Sequence, residues 1–187
     1  MVSDYILNAT DKLTQLAISN NCNSWNKLLI FIKHLPYGRN ENRFDLNLVF
    51  TQKRGTCSSK HAVLREIASL NKIPNIKLIL GMYKMNKQNT PGIGDALSNS
   101  TIHYIPEAHC YLKIEGTPFD FTSESADFNR LKNDIIYEEE ITPQQVTDFK
   151  VQFHKEFVKS WIKEQKMIED FDTVWSLREQ CIENLSS

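Results

Sequence analysis

The sequence predicts an α+β domain in which an antiparallel β-sheet lies between helical segments at the two ends of the chain. Apolar residues recur at helical spacing before residue 36 and after residue 142, whereas the middle of the chain holds strand-like runs. Helices, then strands, then helices indicate an antiparallel sheet, because a parallel sheet would need strands and helices in alternation. At 187 residues the chain suits one domain over 1–187.

The first third of the chain is predicted to be helical. Thr10 can cap a short helix, and Asn23 or Ser24 can cap a second helix that Pro36 ends. Residues 44–51 are ambiguous, because their apolar side chains alternate as in a strand but fit a buried loop equally well.

A third helix is predicted to begin at Cys57. Gly55 permits a tight turn, Thr56 suits the N-cap position, and an apolar stripe of period 3.6 continues until Pro74. The thiol would then lie at a helix N-terminus, where unpaired N–H groups and the macrodipole favour the thiolate. The backbone N–H of Cys57 is also a natural donor to an oxyanion formed beside the sulfur. This pattern predicts a nucleophile.

A buried strand is predicted over 76–83, followed later by a hairpin that carries His109 and Asp120. If Glu115–Gly116 forms a two-residue turn, Tyr111 faces Asp120, and His109 lies diagonally across from that carboxylate on the same face. An aspartate there can orient an imidazole and favour its charged form. Together with the thiol, this predicts acyl transfer through a thioester.

Two longer stretches complete the element prediction. Residues 85–106 form a long polar loop, of a kind that often covers a site or is disordered. Everything after the hairpin is predicted to be helical. One helix begins at the capping box of Thr142–Gln145 and carries an apolar stripe of Val146, Phe149, Phe153, Phe157 and Trp161. A last helix carries Val174, Leu177, Cys181 and Leu185 at similar spacing.

Five histidines compete for the role of base. His61 is the second choice after His109, because a residue four positions after Cys57 lies along the helix surface and not over the sulfur. His34, His103 and His154 are interpreted as surface or packing residues. Neither Cys-x-x-Cys nor His-Glu-x-x-His spacing occurs, so the sequence indicates no metal, and no cofactor is expected.

Charge and composition narrow the classes of partner. A formal net charge of -1 gives no general attraction to nucleic acid or to anionic membranes. Lysines cluster at 84–87 and at 150–166, and both clusters are interpreted as solvated faces. The N-terminus lacks the features of a signal peptide and no apolar run has the length of a membrane span, so a cytoplasmic protein with four free thiols is expected.

The middle of the chain resembles the transglutaminase-like superfamily, which shares the papain-like cysteine-protease core. The matching elements, in the order of that family, are Gly55-Thr56-Cys57, Lys72-Ile73-Pro74, His109-Cys110-Tyr111 and Asp120-Phe121-Thr122. They cover a core of about 54–122 and leave the helical ends unmatched. Tyr111 replaces the common tryptophan and Phe121 the common proline, but neither change removes a catalytic group. The resemblance implies a catalytic helix packed on an antiparallel sheet.

It also implies roles for individual residues. Cys57 would be the nucleophile, His109 the general base and acid, and Asp120 the orienting residue of an acyl-enzyme mechanism.

Relatives supply a further oxyanion donor from a side chain upstream of the cysteine. Gln52 is the candidate by position, with Asn40, Asn47 and Tyr37 behind it. Tyr111 is a further candidate for contact with substrate.

The leading hypothesis is a thiol enzyme that acts on a peptide, protein or small amide, with hydrolysis favoured over transglutaminase-type transfer. The alternative is a catalytically silent binding or scaffold module, because 85–106 could occlude the cleft and the oxyanion side chain is not clear. A structural metal protein is a third possibility. The sequence indicates no particular oligomeric state.

Overall fold

The computed structural model describes residues 3–98 and 101–185 and has the general α+β class that the sequence predicts. The helices are α1 (Lys12–Ser19), α2 (Trp25–His34), α3 (Leu48–Thr51), α4 (Cys57–Leu70), α5 (Asp148–Glu164) and α6 (Phe171–Asn184). The strands are β1 (Ile76–Met85), β2 (Ile105–Ile114), β3 (Thr117–Phe119) and β4 (Ile135–Ile141). Single turns of 3-10 helix occur at Pro91–Ile93, Phe128–Arg130 and Pro143–Val146.

The strands form an antiparallel sheet in the order β3-β2-β1-β4. Strand β1 lies in the interior of the sheet and is buried along nearly its whole length, which explains its almost continuous apolar sequence. The predicted two-residue turn is confirmed, because Ile114 pairs with Thr117. Glu115 and Gly116 both have positive φ, at 50° and 78°, as a type I′ turn requires.

Strand β4 corrects the prediction that everything after the hairpin is helical. Its sequence includes three consecutive glutamates, so it lacks the apolar alternation that marks a half-buried strand. It is an edge strand that pairs with β1, and charged side chains suit such an edge. Glu138 and Glu140 reach lysines on the neighbouring strands, as in the 2.8 Å ion pair between Glu140 and Lys77.

Two boundaries in the first third of the chain also differ from prediction. The N-cap of α1 is Asp11 and not Thr10, because the Asp11 carboxylate accepts a 2.8 Å hydrogen bond from the backbone N–H of Thr14. Residues 44–51 are not a strand. They end in the short helix α3, which buries Phe50 while Phe44 remains exposed, so the apolar alternation there does not mark a sheet face.

The core has two parts that meet at the sheet. The larger part packs α1, α2 and α4 with alternate residues of β1 and β2. The smaller part joins the ends of β1 and β2 to α5, α6 and apolar residues of the 85–106 segment, of which Ile93 is fully buried. The segment therefore anchors a few apolar side chains in the core while many of its polar residues stay exposed; residues 99 and 100 lie outside the described residues.

No helix within the described ranges is long and apolar enough to cross a bilayer.

Candidate active site

The start of α4 fixes the position of the Cys57 sulfur. Thr56 and Ser59 form a capping box, in which the Ser59 hydroxyl accepts a 3.0 Å hydrogen bond from the backbone N–H of Thr56. A Cβ at Gly55 would lie 2.8 Å from the Ser59 hydroxyl oxygen and 2.9 Å from Cγ of Lys60. Glycine is thus required at this position because the capping box packs against its backbone, and Cys57 becomes the first residue of the helix.

Cys57, His109 and Asp120 come together as the sequence predicts. The imidazole Nε2 of His109 lies 2.8 Å from Oδ2 of Asp120, and both side chains are nearly buried. His109 and Cys57 are close enough for the charge of each to shift the pKa of the other. Because Nε2 is held by the carboxylate, Nδ1 is the nitrogen left for an interaction with the sulfur. The site therefore brings together a thiol, an imidazole and a carboxylate, which are the groups that nucleophilic catalysis by a thiol requires.

The charges of the site favour a thiolate and an imidazolium. Burial alone would raise the pKa of Cys57, but the positive charges of Lys150 and His109 outweigh burial and lower it to about 6. Burial opposes charge on His109 in the same way, yet Asp120 and Cys57 raise its pKa well above the ordinary value. At neutral pH both shifts stabilise a thiolate–imidazolium ion pair.

His61 links the start of α4 to the segment that carries Asp120. Its Nδ1 lies 2.7 Å from the carbonyl oxygen of Cys57, and its Nε2 accepts a 2.8 Å hydrogen bond from the backbone N–H of Phe121. An Nε2 that accepts carries no proton, so the ring is neutral and donates from Nδ1. Burial lowers the pKa of His61 to about 4, against the attraction of Asp120. This geometry suits a positioning residue and leaves no free nitrogen for base catalysis.

Lys60 is a second buried link that sequence reasoning missed. Its ammonium donates to the carbonyl oxygens of Leu35 and Thr122, the latter at 2.7 Å, although its side chain is fully buried. Burial lowers the pKa of Lys60 to about 8, while the nearby Asp120 opposes that shift. The available signal was a lysine within the buried surface of a predicted core helix.

Lys150 corrects the interpretation of 150–166 as a solvated face. Its Nζ lies 3.6 Å from the Cys57 sulfur and 2.7 Å from the hydroxyl oxygen of Ser58. Of the predicted apolar stripe, Val146 and Trp161 are buried, whereas Phe149, Phe153 and Phe157 are more exposed. Another row of residues faces inward, at helical spacing: Val146, Lys150, His154, Val158 and Trp161. The sequence signal for Lys150 was its helical spacing: Lys150 and His154 fall on the same helix face as the apolar residues Val158 and Trp161.

A pocket of about 340 Å³ opens beside the sulfur. Its walls come from residues 37–43, the first turn of α4, Glu107 of β2, and the inner faces of α5 and α6. The last two helices lie outside the core that the sequence resemblance covers, so half of the wall could not be inferred from it. No residue of the described part of 85–106 lines this pocket.

The oxyanion candidates separate into two groups. Tyr37 and Asn40 line the pocket, whereas Gln52, Asn47 and Tyr111 do not. Burial raises the pKa of Tyr37, and the nearby Cys57 and Glu107 raise it further, so its phenol stays protonated beside the sulfur.

The amide nitrogen of Asn40 is already engaged in hydrogen bonds to nearby residues. It donates to the side-chain oxygen of Gln52 at 3.1 Å and to the carbonyl oxygens of Leu48 and Arg54, and so braces the loop. Gln52 also accepts from the backbone N–H of Glu41, at 3.3 Å. Both contacts use the side-chain oxygen of Gln52, and Gln52 does not line the pocket.

The structure does not bring Asn47 or Tyr111 to the sulfur. Asn47 donates to Asp45 at 2.6 Å. The Tyr111 hydroxyl donates to Glu138, and its ring stacks on His109 with 6.2 Å between centroids. Tyr111 therefore packs against the His109 imidazole and does not line the pocket where contact with substrate was predicted.

A buried ion-pair network forms the far wall of the pocket. Arg178 binds both carboxylate oxygens of Glu107, at 2.7 and 2.6 Å, and also contacts Glu179, which in turn binds Arg39 at 2.9 Å. Burial alone would raise the pKa of Glu107, but Arg178 and His154 lower it to about 2. Each carboxylate of this network is thus matched by a guanidinium.

All four cysteines are free thiols, and within 3–98 and 101–185 no three histidine, cysteine or acidic side chains are placed to hold a metal ion. No protein-family model, curated protein or solved structure matches the chain. The resemblance to the transglutaminase-like superfamily stays a prediction from the motifs.

Proposed function

We propose that this protein is a cysteine enzyme that transfers an acyl group from an amide through a thioester on Cys57. The observation that carries the proposal is the His109 imidazole, held 2.8 Å from the Asp120 carboxylate and close to the Cys57 sulfur, combined with a pKa of about 6 for the thiol. The same motifs support a transglutaminase-like, papain-like arrangement, in which the catalytic helix α4 packs against the antiparallel sheet.

Acylation begins from the thiolate and imidazolium. The Cys57 sulfur attacks the carbonyl carbon, a C–S bond forms, and the carbonyl electron pair moves to oxygen. The backbone N–H of Cys57 and the Tyr37 hydroxyl are the donors proposed for that oxyanion. As the intermediate collapses, His109 gives its Nδ1 proton to the leaving nitrogen and the C–N bond breaks. The products of this half are an amine and the thioester.

Deacylation reverses the proton transfer. Neutral His109 removes a proton from water, the resulting oxygen nucleophile attacks the thioester, and the C–S bond breaks to release a carboxylic acid and the thiolate. Asp120 holds the imidazole in one orientation during both halves. We favour water as the acceptor, because a pocket of about 340 Å³ is at the small end of the range for ligand sites and gives little room for a second protein chain.

The volume of the pocket also limits the size of the substrate. Helices α5 and α6 close one side of the site, so a small amide or the end of a peptide fits better than an internal segment of a folded protein.

Alkylation by iodoacetamide, followed by mass spectrometry of each cysteine, tests the activation of the thiol. Burial raises the pKa of Cys22 and of Cys181 to about 11, so both serve as internal references. At neutral pH a thiol of pKa about 6 is roughly nine-tenths ionised. We expect fast alkylation of Cys57 alone, and strong slowing in His109→Ala.

A second assay separates an enzyme from a silent module of the same fold. The wild-type chain should release p-nitrophenol from p-nitrophenyl acetate in a burst that acetylates Cys57, followed by turnover, and Asp120→Asn should slow both phases. Alkylation of Cys57 no faster than of Cys22 would refute thiol activation. Fast alkylation without any acetylation would instead favour the scaffold alternative.

A further inference from the structure

The pocket beside Cys57 concentrates positive charge in a chain whose formal net charge is -1. Its cationic side chains outnumber its carboxylates, Glu107 and Glu179, by five to two. The cations are Arg39, Arg43, Lys150, Lys155 and Arg178. The excess is a local property of this cavity, because the whole chain has nearly equal numbers of cationic and acidic side chains.

The two carboxylates are already engaged. Glu107 and Glu179 pair with Arg178, and Glu179 also pairs with Arg39. In the part of the chain that the structure describes, no carboxylate lies within 4.0 Å of the remaining cations, Arg43, Lys150 and Lys155. Lys150 lies 3.6 Å from the Cys57 sulfur and is matched by the thiolate, so Arg43 and Lys155 are the two cations that line the cavity without a counter-charge of their own.

The Trp175 ring holds two of the pocket's cations in position. The Lys155 ammonium lies 5.7 Å from the centroid of the Trp175 ring, and the Arg178 guanidinium lies 5.2 Å from the same centroid. Cation–π contacts of this kind fix the position of a cation without neutralising it. The repulsion among these cations is relieved when an anion enters the cavity, and low-dielectric walls focus the field on that anion.

We propose that this pocket recognises a carboxylate of the substrate, next to the amide that Cys57 attacks. Arg43 and Lys155 are the proposed binding residues for this carboxylate. Lys150 has a second role, since its charge also acts on the thiolate. The inference rests on the proposed function and adds the substrate class: small acidic amides. In peptides the carboxylate comes either from the C-terminus or from an aspartate or glutamate side chain.

The test compares two alkylating agents of nearly equal size, anionic iodoacetate and neutral iodoacetamide. The ratio of their rate constants at Cys57 is divided by the same ratio for N-acetylcysteine in solution. We expect a preference for iodoacetate of about tenfold or more, as found for clefts lined by one sign of charge, and a decrease of this preference with salt. The double variant Arg43→Gln/Lys155→Gln should lose most of the preference.

The ratio isolates the binding claim from the reactivity of the sulfur. Failure of the proposed function would slow both reagents together, whereas failure of this inference leaves iodoacetamide fast and the ratio equal to that of N-acetylcysteine. Lys159→Gln is the matched control, since Lys159 lies on α5 outside the pocket and pairs with Glu156. A normalised ratio near one, or a ratio that the double variant does not change, overturns the proposal.

Protection experiments then distinguish the two sources of carboxylate. Acetylglycine presents a C-terminal carboxylate, N-acetylglutamate α-amide presents only a side-chain carboxylate, and acetylglycinamide is the neutral control. Each is tested for its ability to slow alkylation of Cys57 by iodoacetamide. Protection by one acid above the neutral control assigns the substrate to that source. If neither acid protects better than acetylglycinamide, the pocket does not bind carboxylates and the proposal fails.

Discussion

Replacing Lys150 with methionine should raise the pKa of Cys57 substantially. The Nζ of Lys150 lies 3.6 Å from the sulfur, and two unit charges at that separation interact by about 5 kcal/mol at an effective dielectric constant of 20. One pKa unit corresponds to about 1.4 kcal/mol, so the full interaction is worth roughly three units. Because Lys150 is only half-buried and also contacts the Ser58 hydroxyl, we expect a rise of about one to three units.

The sign of the pH dependence follows from the thiolate being the reactive form. Alkylation of Cys57 in the wild-type chain should increase as pH rises through about 6 and then level off. In Lys150→Met the same increase should come at higher pH. Lys150→Arg keeps the charge and should keep a midpoint near that of the wild type. Lys159→Met removes a lysine from the same helix without any contact to the sulfur, and serves as the control.

The assay is the rate of iodoacetamide incorporation at Cys57 from pH 4 to 10, with circular dichroism at each pH to confirm that the chain is folded. A midpoint in Lys150→Met within about 0.3 unit of the wild type would refute the role given to this ammonium. It would also show that His109 alone lowers the pKa of the thiol.

Three further changes test other parts of the site and its support. Arg178→Met leaves Glu107 buried without its partner and should cost about 3–5 kcal/mol of unfolding free energy in urea titrations. In the wild type, the stabilisation that the ionised Glu107 contributes should be lost as the pH falls from its ordinary pKa of 4.5 towards about 2. Tyr37→Phe should lower the ratio of acylation by p-nitrophenyl acetate to alkylation by iodoacetamide about 100-fold, because only acylation forms an oxyanion; an unchanged ratio removes Tyr37 from the oxyanion site. Gly81→Ala places a Cβ 2.8 Å from Cε1 of Tyr111, and calorimetry should report a loss of about 1–3 kcal/mol.

The elements that carry the triad could be predicted because their signals are local. The cap at Thr56 and the turn at Glu115–Gly116 each depend on a few adjacent residues, and each fixes the position of one side chain of the proposed triad. Once the turn is known, period-two alternation places Asp120 beside His109 without any knowledge of the rest of the fold. Local chemistry and global structure agree here, which is the usual condition for a correct prediction.

The missing parts of the site depend on contacts between distant segments. Lys150 reaches Cys57 across 93 positions of sequence, and Arg178 reaches Glu107 across 71. No periodicity within one segment reports such a pairing. Strand β4 was missed for a related reason, since its pairing with β1 compensates for a run of glutamates that alone does not indicate a strand.

Helix α5 shows why the central motifs are not sufficient for the proposed activity. Its inward row is apolar at the C-terminal end, where Val158 and Trp161 are buried in the smaller core, and polar at the N-terminal end, where Lys150 and His154 line the pocket. A helix is stiff over this length, so the packing of Val158 and Trp161 determines where the Lys150 ammonium lies relative to the sulfur. The charge that lowers the pKa of Cys57 is thus positioned by core contacts far from the chemistry. A chain reduced to the 54–122 core would keep Cys57, His109 and Asp120 but lose the cation that stabilises the thiolate and half of the wall that would bind a substrate.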